Sequence, residues 1–292
     1  MGKIRTFFMV LGVIFFAIIV FIIARATFLP ETPISGDKIG VVRIEGIIKS
    51  SDRYVKLLNR LEKNRSVKAI VLRVNSPGGV VGACQEIHDK VEEIAKKKPV
   101  VVSMGSVAAS GGLYISVPAT KIVANPGTIT GSIGVILQVY NVKELADRLG
   151  IKVVTVKSGK FKDLLNPFKE VSRDDVKILQ ALINDSYMQF VEAVAKGRNL
   201  PIERVKEIAD GRVFTGRMAK EIGLVDELGS FEKAVEIARE LAKAPKAKIY
   251  EVKPKRSFLQ KLLGEEGRET LSNLARILNG QVESFNLMYL LN

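Results

Sequence analysis

Tryptophan is absent from the 292 residues, cysteine and histidine occur once each, and aromatic residues make up only 7%. Each scarcity removes a possibility. With Cys84 alone, no intramolecular disulfide can form, so cysteine usage says nothing about the compartment. Cys84 shares helical spacing with Ile87, Val91 and Ile94, which is the setting of a buried core thiol rather than a nucleophile. The one histidine, His88, sits mid-helix in CQEIHDKVEEI, whereas a catalytic imidazole is normally presented at the end of an element or on a loop. A hydrolytic reaction on this chain would need another base. The net charge of +14 raises nucleic acid as a partner, but the excess is spread out and no basic motif interleaved with aromatics occurs. No nucleic-acid partner is expected, and the denser basic run from Lys243 to Lys261 reads as a solvated or membrane-facing surface.

What is present begins with an apolar run. Lys3 and Arg5 precede the uncharged stretch Phe7 to Ile23, and Arg25 follows it. Its 17 residues are at the short end of what spans a bilayer. The expectation is one N-terminal transmembrane helix within residues 1–25, with the bilayer as partner, the N-terminus cytoplasmic and the remainder outside. An uncleaved anchor is favoured over a signal peptide because the run exceeds a typical h-region and no clean A-x-A follows. Residues 26–38 then read as a Pro/Gly/Ser linker, 39–245 as a folded domain and 246–292 as a C-terminal tail.

Within 39–245, β-branched runs alternate with helical patterns. Strands are expected at Ile39 to Ile48, Val67 to Val74, Pro99 to Met104 and Val153 to Val156. Helices are expected at Tyr54 to Asn64, Val81 to Lys97, Asp174 to Lys196, Pro201 to Ala209 and Phe231 to Ala242, with a short one after Ser110. This alternation argues for an α/β fold with a mostly parallel sheet and flanking helices. The terminal FNLMYLLN is apolar and needs a surface to cover it: its own core, a neighbouring subunit or a groove.

Two glycine-rich corners stand out, Asn75-Ser76-Pro77-Gly78-Gly79 and Ala109-Ser110-Gly111-Gly112. A strand feeding a tight small-residue turn that opens a helix lifts a serine oxygen into a groove, which makes Ser110 a candidate nucleophile. Gly79 and Gly111 are candidates for backbone N–H donors aimed at an oxyanion. With histidine set aside, a lysine can serve as base. Neutralising an ordinary lysine at pH 7 costs on the order of 4–5 kcal/mol, which burial among apolar groups can supply. Lys157, Lys160, Lys162 and Lys169 all fall in the right part of the chain, and spacing alone does not choose among them.

NSPGG, then SMGSVAASGGLYIS, TGSIGV and SGKFKDLLNP together resemble the signal peptide peptidase (SppA) family in its short, single-domain form, from about Ile39 to Leu228. The ASGG corner alone is shared in outline with Clp-type proteases and crotonase-like acyl-CoA enzymes. The GxxKD segment, Gly159 to Asp163, with its lysine 52 residues beyond the serine, is more specific. The resemblance implies a Clp protease/crotonase-like fold with Ser110 as nucleophile, Lys162 as general base, Gly79 lining the oxyanion hole and Ser132 holding the lysine amine. It further implies a membrane-anchored serine endopeptidase that hydrolyses remnant signal peptides and other apolar peptides outside the cytoplasm. Apolar and small side chains are expected at the cleavage position, given the Val, Ile and Ala around the groove. No cofactor or metal is implied. A homo-oligomer is, in which one subunit completes its neighbour's site. The competing expectations are a Ser–Lys protease acting on other membrane-associated proteins, a crotonase-like acyl-CoA enzyme and a non-enzymatic scaffold.

Overall fold

The computed structural model describes residues 6–7, 9–18, 21, 36–252 and 288–291. Two compact units, Met1–Gly36 and Asp37–Asn292, are taken separately. In the first, described residues 6–7, 9–18 and 21 are helical and exposed. The expected transmembrane helix is corrected here: among the described residues no helix is long and apolar enough to cross a membrane. The longest described run, residues 9–18, rises about 15 Å against a hydrocarbon core of about 30 Å. With that helix go the bilayer partner, the anchored form of the enzyme and the single-pass localisation. Residues 8, 19–20 and 22–23 of the expected span lie outside the described residues, as do the linker up to residue 35 and the tail over 253–287.

The second unit is built on an eight-stranded sheet. In chain order the strands and helices at its centre are β1 (Lys38–Glu45), α1 (Asp52–Lys63), β2 (Val67–Ser76), β3 (Gly78–Val80), α2 (Val81–Ala95), β4 (Val100–Ala109) and α3 (Gly111–Tyr114). They are followed by β5 (Lys121–Ala124), β6 (Ile129–Gly131), α4 (Lys143–Arg148), α5 (Arg173–Arg198), α6 (Ile202–Ile208), β7 (Val213–Thr215), α7 (Gly216–Glu221), β8 (Glu227–Leu228) and α8 (Phe231–Leu241). Two short strands close the series, β9 (Lys248–Glu251) and β10 (Met288–Leu290). The main path runs β7-β6-β4-β2-β1-β9, and every pair in the sheet is parallel except β6 with β7. The expected α/β architecture with a mostly parallel sheet is therefore present.

Alternation along the strands explains the layers. Ile39 and Val41 of β1, Ala69 and Val71 of β2 and Val101 of β4 face one side, where Ala234, Val235 and Ala238 of α8 cover them. Val42, Ile44, Ile70, Leu72, Val102 and Met104 face the other, against α1, α2 and α5. In α1 the buried residues Tyr54, Leu57, Leu58 and Leu61 recur at helical spacing. Each fully buried Val, Ile or Leu contributes about 1.5–3 kcal/mol of transfer free energy, so this slab is the stable part of the chain.

β4 forks, and the fork places the site. Its first half, Val101 to Ser103, pairs with β5, while its second half, Val107 to Ala109, leaves β5 and pairs with β6. The expected strand at Pro99 to Met104 thus continues five residues further, through Gly105, to deliver Ser110 at its end. On its other side β4 keeps β2, with Ser76 facing Ala108, so the two glycine corners end side by side.

Candidate active site

Ser110 occupies the corner between β4 and α3 with φ 51° and ψ −117°, a conformation that side chains rarely adopt. Two backbone bonds pin it: its N–H donates to Gly131 O at 2.8 Å, and its carbonyl accepts from Tyr114 N at 2.9 Å. The side chain is fully buried, yet Oγ has no hydrogen-bond partner among the described residues. A buried hydroxyl without a partner costs about 1–3 kcal/mol, so this corner stores cost where a reactive group would be held ready.

The sequence-expected neighbours fall into two groups. Gly79 and Gly111 are brought together with the serine. A Cβ on Gly111 would stand 2.9 Å from Gly79 N, and one on Gly79 would stand 2.1 Å from Ile48 O, so the two corners close only because neither residue has a side chain. Ser132 sits one residue past the Gly131 carbonyl that fixes Ser110, itself at φ 51° with its N–H donating to Arg212 O at 2.8 Å. Ser132 also lines a cavity of about 420 Å³ with Ile136, Tyr187, Asp210, Leu290 and Leu291.

Lys162 is not brought in. It lies exposed in a turn over 160–165, on an arm between β6 and α5, and no described residue hydrogen-bonds Ser110 Oγ. The same arm contains the expected strand Val153 to Val156, which does not form. A strand needs a partner ladder, and residues 151–160 are all exposed, Val154 at 87% and Val156 at 96%. The other lysines that spacing left open are engaged: Lys157 with Asp163 at 2.7 Å, Lys160 with Asp174 at 2.6 Å and Lys169 with Asp175 at 2.9 Å. Lys162 has no such partner among the described residues. Asp163, bound by Lys157 and Lys169, shapes the turn, and its carboxyl is held below the usual carboxylate range by Lys157 first. The arm enters α5 through a capping box in which Ser172 and Asp175 satisfy each other's backbone N–H.

His88 and Cys84 keep the roles read from sequence. His88 is buried against Tyr114 at 4.9 Å between ring centres, and burial pulls its pKa down. Burial pushes the Cys84 thiol up to about 12, which leaves no thiolate for nucleophilic attack.

Sequence reasoning left open what lies over the corners. β10 pairs antiparallel with β3, Tyr289 opposite Gly79, and on its other edge Met288 exchanges two bonds with Ile136 at 3.1 and 3.2 Å. Tyr289 is fully buried among Tyr114, Phe190 and the helix α5. Burial lifts both phenols, Tyr114 to about 12 and Tyr289 further, so both remain O–H donors. The apolarity of the C-terminus was the only signal in the sequence, and it did not say which surface would receive it.

Comparison with known proteins gives these observations a family. A profile for Peptidase family S49 matches residues 92–245, and one for Clp protease matches residues 41–128. "Putative protease slr0021" of Synechocystis sp. is 47% identical over 207 residues, covering 70% of this chain and 74% of that protein. "Putative protease MJ0651" of Methanocaldococcus jannaschii is 45% identical over 203 residues, 70% of this chain and 65% of its own length. "Putative signal peptide peptidase SppA" of Enterococcus faecium is 39% identical over 201 residues, 68% and 58% respectively.

Proposed function

Because the chain belongs to Peptidase family S49, a serine protease family, we propose that it hydrolyses apolar peptides with Ser110 as nucleophile and Lys162 from a second copy as general base. The observation that carries this is the buried, unpartnered Ser110 Oγ, held at positive φ beside the backbone of Gly79 and Gly111. Such a hydroxyl lacks only a proton acceptor. Lys162 supports the other half: among the described residues it alone of the four lysines in its stretch makes no ion pair, and it is carried on an arm whose valines Val154 and Val156 are exposed. Docking that arm on a neighbour would bury the valines and bring the amine into an apolar pocket, where the neutral form is favoured.

The steps then balance. Ser110 Oγ adds to the peptide carbonyl carbon while its proton passes to the neutral Lys162 amine, and the N–H groups of Gly79 and Gly111 receive the oxyanion. The C–N bond breaks as the amine leaving group takes that proton. Water, deprotonated by the Lys162 amine, adds to the acyl ester, and the lysine hands that proton to Ser110 Oγ as the ester C–O bond breaks, which frees the peptide acid and restores the serine hydroxyl. Ser132, which lines the adjoining cavity, would hold the lysine amine. A lysine base works only when uncharged, so turnover should climb through the alkaline range.

The test is labelling of the full chain by a fluorophosphonate, with the modified residue mapped. Attachment at Ser110, lost in Ser110→Ala, supports the reading. Failure to label Ser110 while another serine reacts would remove it.

A further inference from the structure

Asn75 stands at the start of the first glycine corner and reaches across to the strand that carries the second. Along β2 and β4 the ladder passes from Val74 opposite Met104 to Ser76 opposite Ala108, so β2 advances two residues while β4 advances four. Gly105, Ser106 and Val107 therefore stand against Asn75 alone, a bulge of the kind that re-aims a strand beside a site. It is here that β4 leaves β5 for β6.

A bulge interrupts the ladder, and side chains make good the bonds. Val107 N–H donates to Asn75 Oδ1 at 3.1 Å. The carbonyls of Gly105 and Ala108 accept from the buried hydroxyls of Thr128 and Thr130, each at 2.7 Å. A backbone N–H can only donate, so the Asn75 amide must present its oxygen to Val107. A Cβ on Gly105 would stand 2.8 Å from that oxygen, so the amide packs directly on the bulge. The backbone of Asn75 belongs to the other corner. Its carbonyl accepts from Gly46 N–H at 3.0 Å, and the next residue, Ser76, takes the Gly78 N–H on its Oγ at 3.1 Å. Thr128 and Thr130 join β4 to the β6 side; Asn75 joins it to the corner holding Gly79.

We propose that Asn75 is a positioning residue that sets the spacing between the Ser110 hydroxyl and the Gly79 N–H, through its Oδ1 acceptor. Gly79 follows Asn75 by four residues and Ser110 follows Val107 by three, so the Val107–Asn75 bond ties the two short segments at their roots. Asn75 touches no reacting atom, and its role rests on Ser110 being the nucleophile. A misplacement of about 1 Å between reacting groups can cost on the order of 100-fold in rate. Asn75 is exposed, so water can take the Val107 N–H when the acceptor is removed, and the fold is expected to keep its stability.

Three variants of the full chain separate the acceptor from size and charge. Asn75→Asp keeps an oxygen at the same place, Asn75→Leu keeps the approximate shape without an acceptor, and Asn75→Ala keeps neither. Peptide turnover, the rate of fluorophosphonate attachment at Ser110 and thermal unfolding are measured on each. Asn75→Ala and Asn75→Leu should lower kcat and the attachment rate by about 10–100-fold, with KM within about twofold of parent and an unchanged melting temperature. Asn75→Asp should stay within about threefold of parent in every readout. Parental rates in Asn75→Leu, a loss confined to KM, or melting temperatures that fall in step with the rates would overturn the inference. Parental attachment at Ser110 in all three variants would remove the role of Asn75 alone, whereas a parent chain that reacts at another serine would remove the hydrolytic reading itself.

Discussion

The Ser110 corner and the Lys162 arm differ in almost every physical respect although the proposed chemistry joins them. The corner is enclosed: β4 is paired on both sides, Ser110 is fully buried, and its backbone is fixed by Gly131 and Tyr114. The arm over 137–171 shows little regular pairing and presents Tyr140, Val154 and Val156 to solvent. Its order comes from charge, through the Lys157–Asp163–Lys169–Asp175 chain and the Ser172 cap. One region carries strain because packing over-determines it; the other carries uncovered apolar surface. A nucleophile can be prepared inside one subunit while the base is kept apart until subunits meet. A chain not yet assembled would then lack a working site.

Breaking the pair should give the largest effect. Ser110→Ala and Lys162→Ala are each expected to lower peptide turnover by about 10⁴-fold or more, whereas Lys160→Ala, whose ammonium is spent on Asp174, should stay near the parent rate. Turnover surviving in Lys162→Ala would dissolve the comparison. Next in size, Val154→Asp with Val156→Asp should abolish self-association and activity while leaving the melt of the isolated subunit within about 0.5 kcal/mol of parent. Sedimentation and thermal unfolding read the two effects, and an active, unchanged oligomer would contradict the role given to the arm.

The smallest effect concerns acid. The Asp175 carboxyl is held at about 2 by the Ser172 N–H and by Lys169, below its ordinary value of about 3.9. A depressed carboxylate gives stability that is present above the ordinary value and lost as pH falls from about 4 towards 2. Hydrogen exchange of the first turn of α5 should therefore rise over that window in the parent, and Asp175→Asn should already exchange faster at neutral pH without the acid step. Identical profiles would show that the arm is held by something else.

How much could be read beforehand follows the same division. The slab announced itself, since VVRI, AIVLRV and PVVV are β-branched runs at strand length, and Tyr54, Leu57, Leu58 and Leu61 mark a helix face. Ser110, Gly79 and Gly111 were legible because few residue types tolerate such corners. The extension of β4 through Ser106 to Ala109 was not, because small residues carry no strand signal and only pairing with β6 makes them one. Val153 to Val156 misled for the opposite reason: β-branched residues favour a pleated surface, and none of the described residues offers them a strand partner. The transmembrane expectation at Phe7 to Ile23 rested on hydropathy alone, and no described helix satisfies it. Tyr114, Phe190 and Tyr289 meet from three distant parts of the chain, which no local pattern can show.

The most direct measurement mixes two dead enzymes. Ser110→Ala retains the arm and Lys162→Ala retains the nucleophile, so subunits unfolded or dissociated together and reassembled should combine one good corner with one good arm. A fraction of parental peptide turnover is predicted to return in the mixture, with neither variant active alone. A mixture as inactive as its components, despite demonstrated co-assembly, would contradict the sharing of one active site between two copies of the chain.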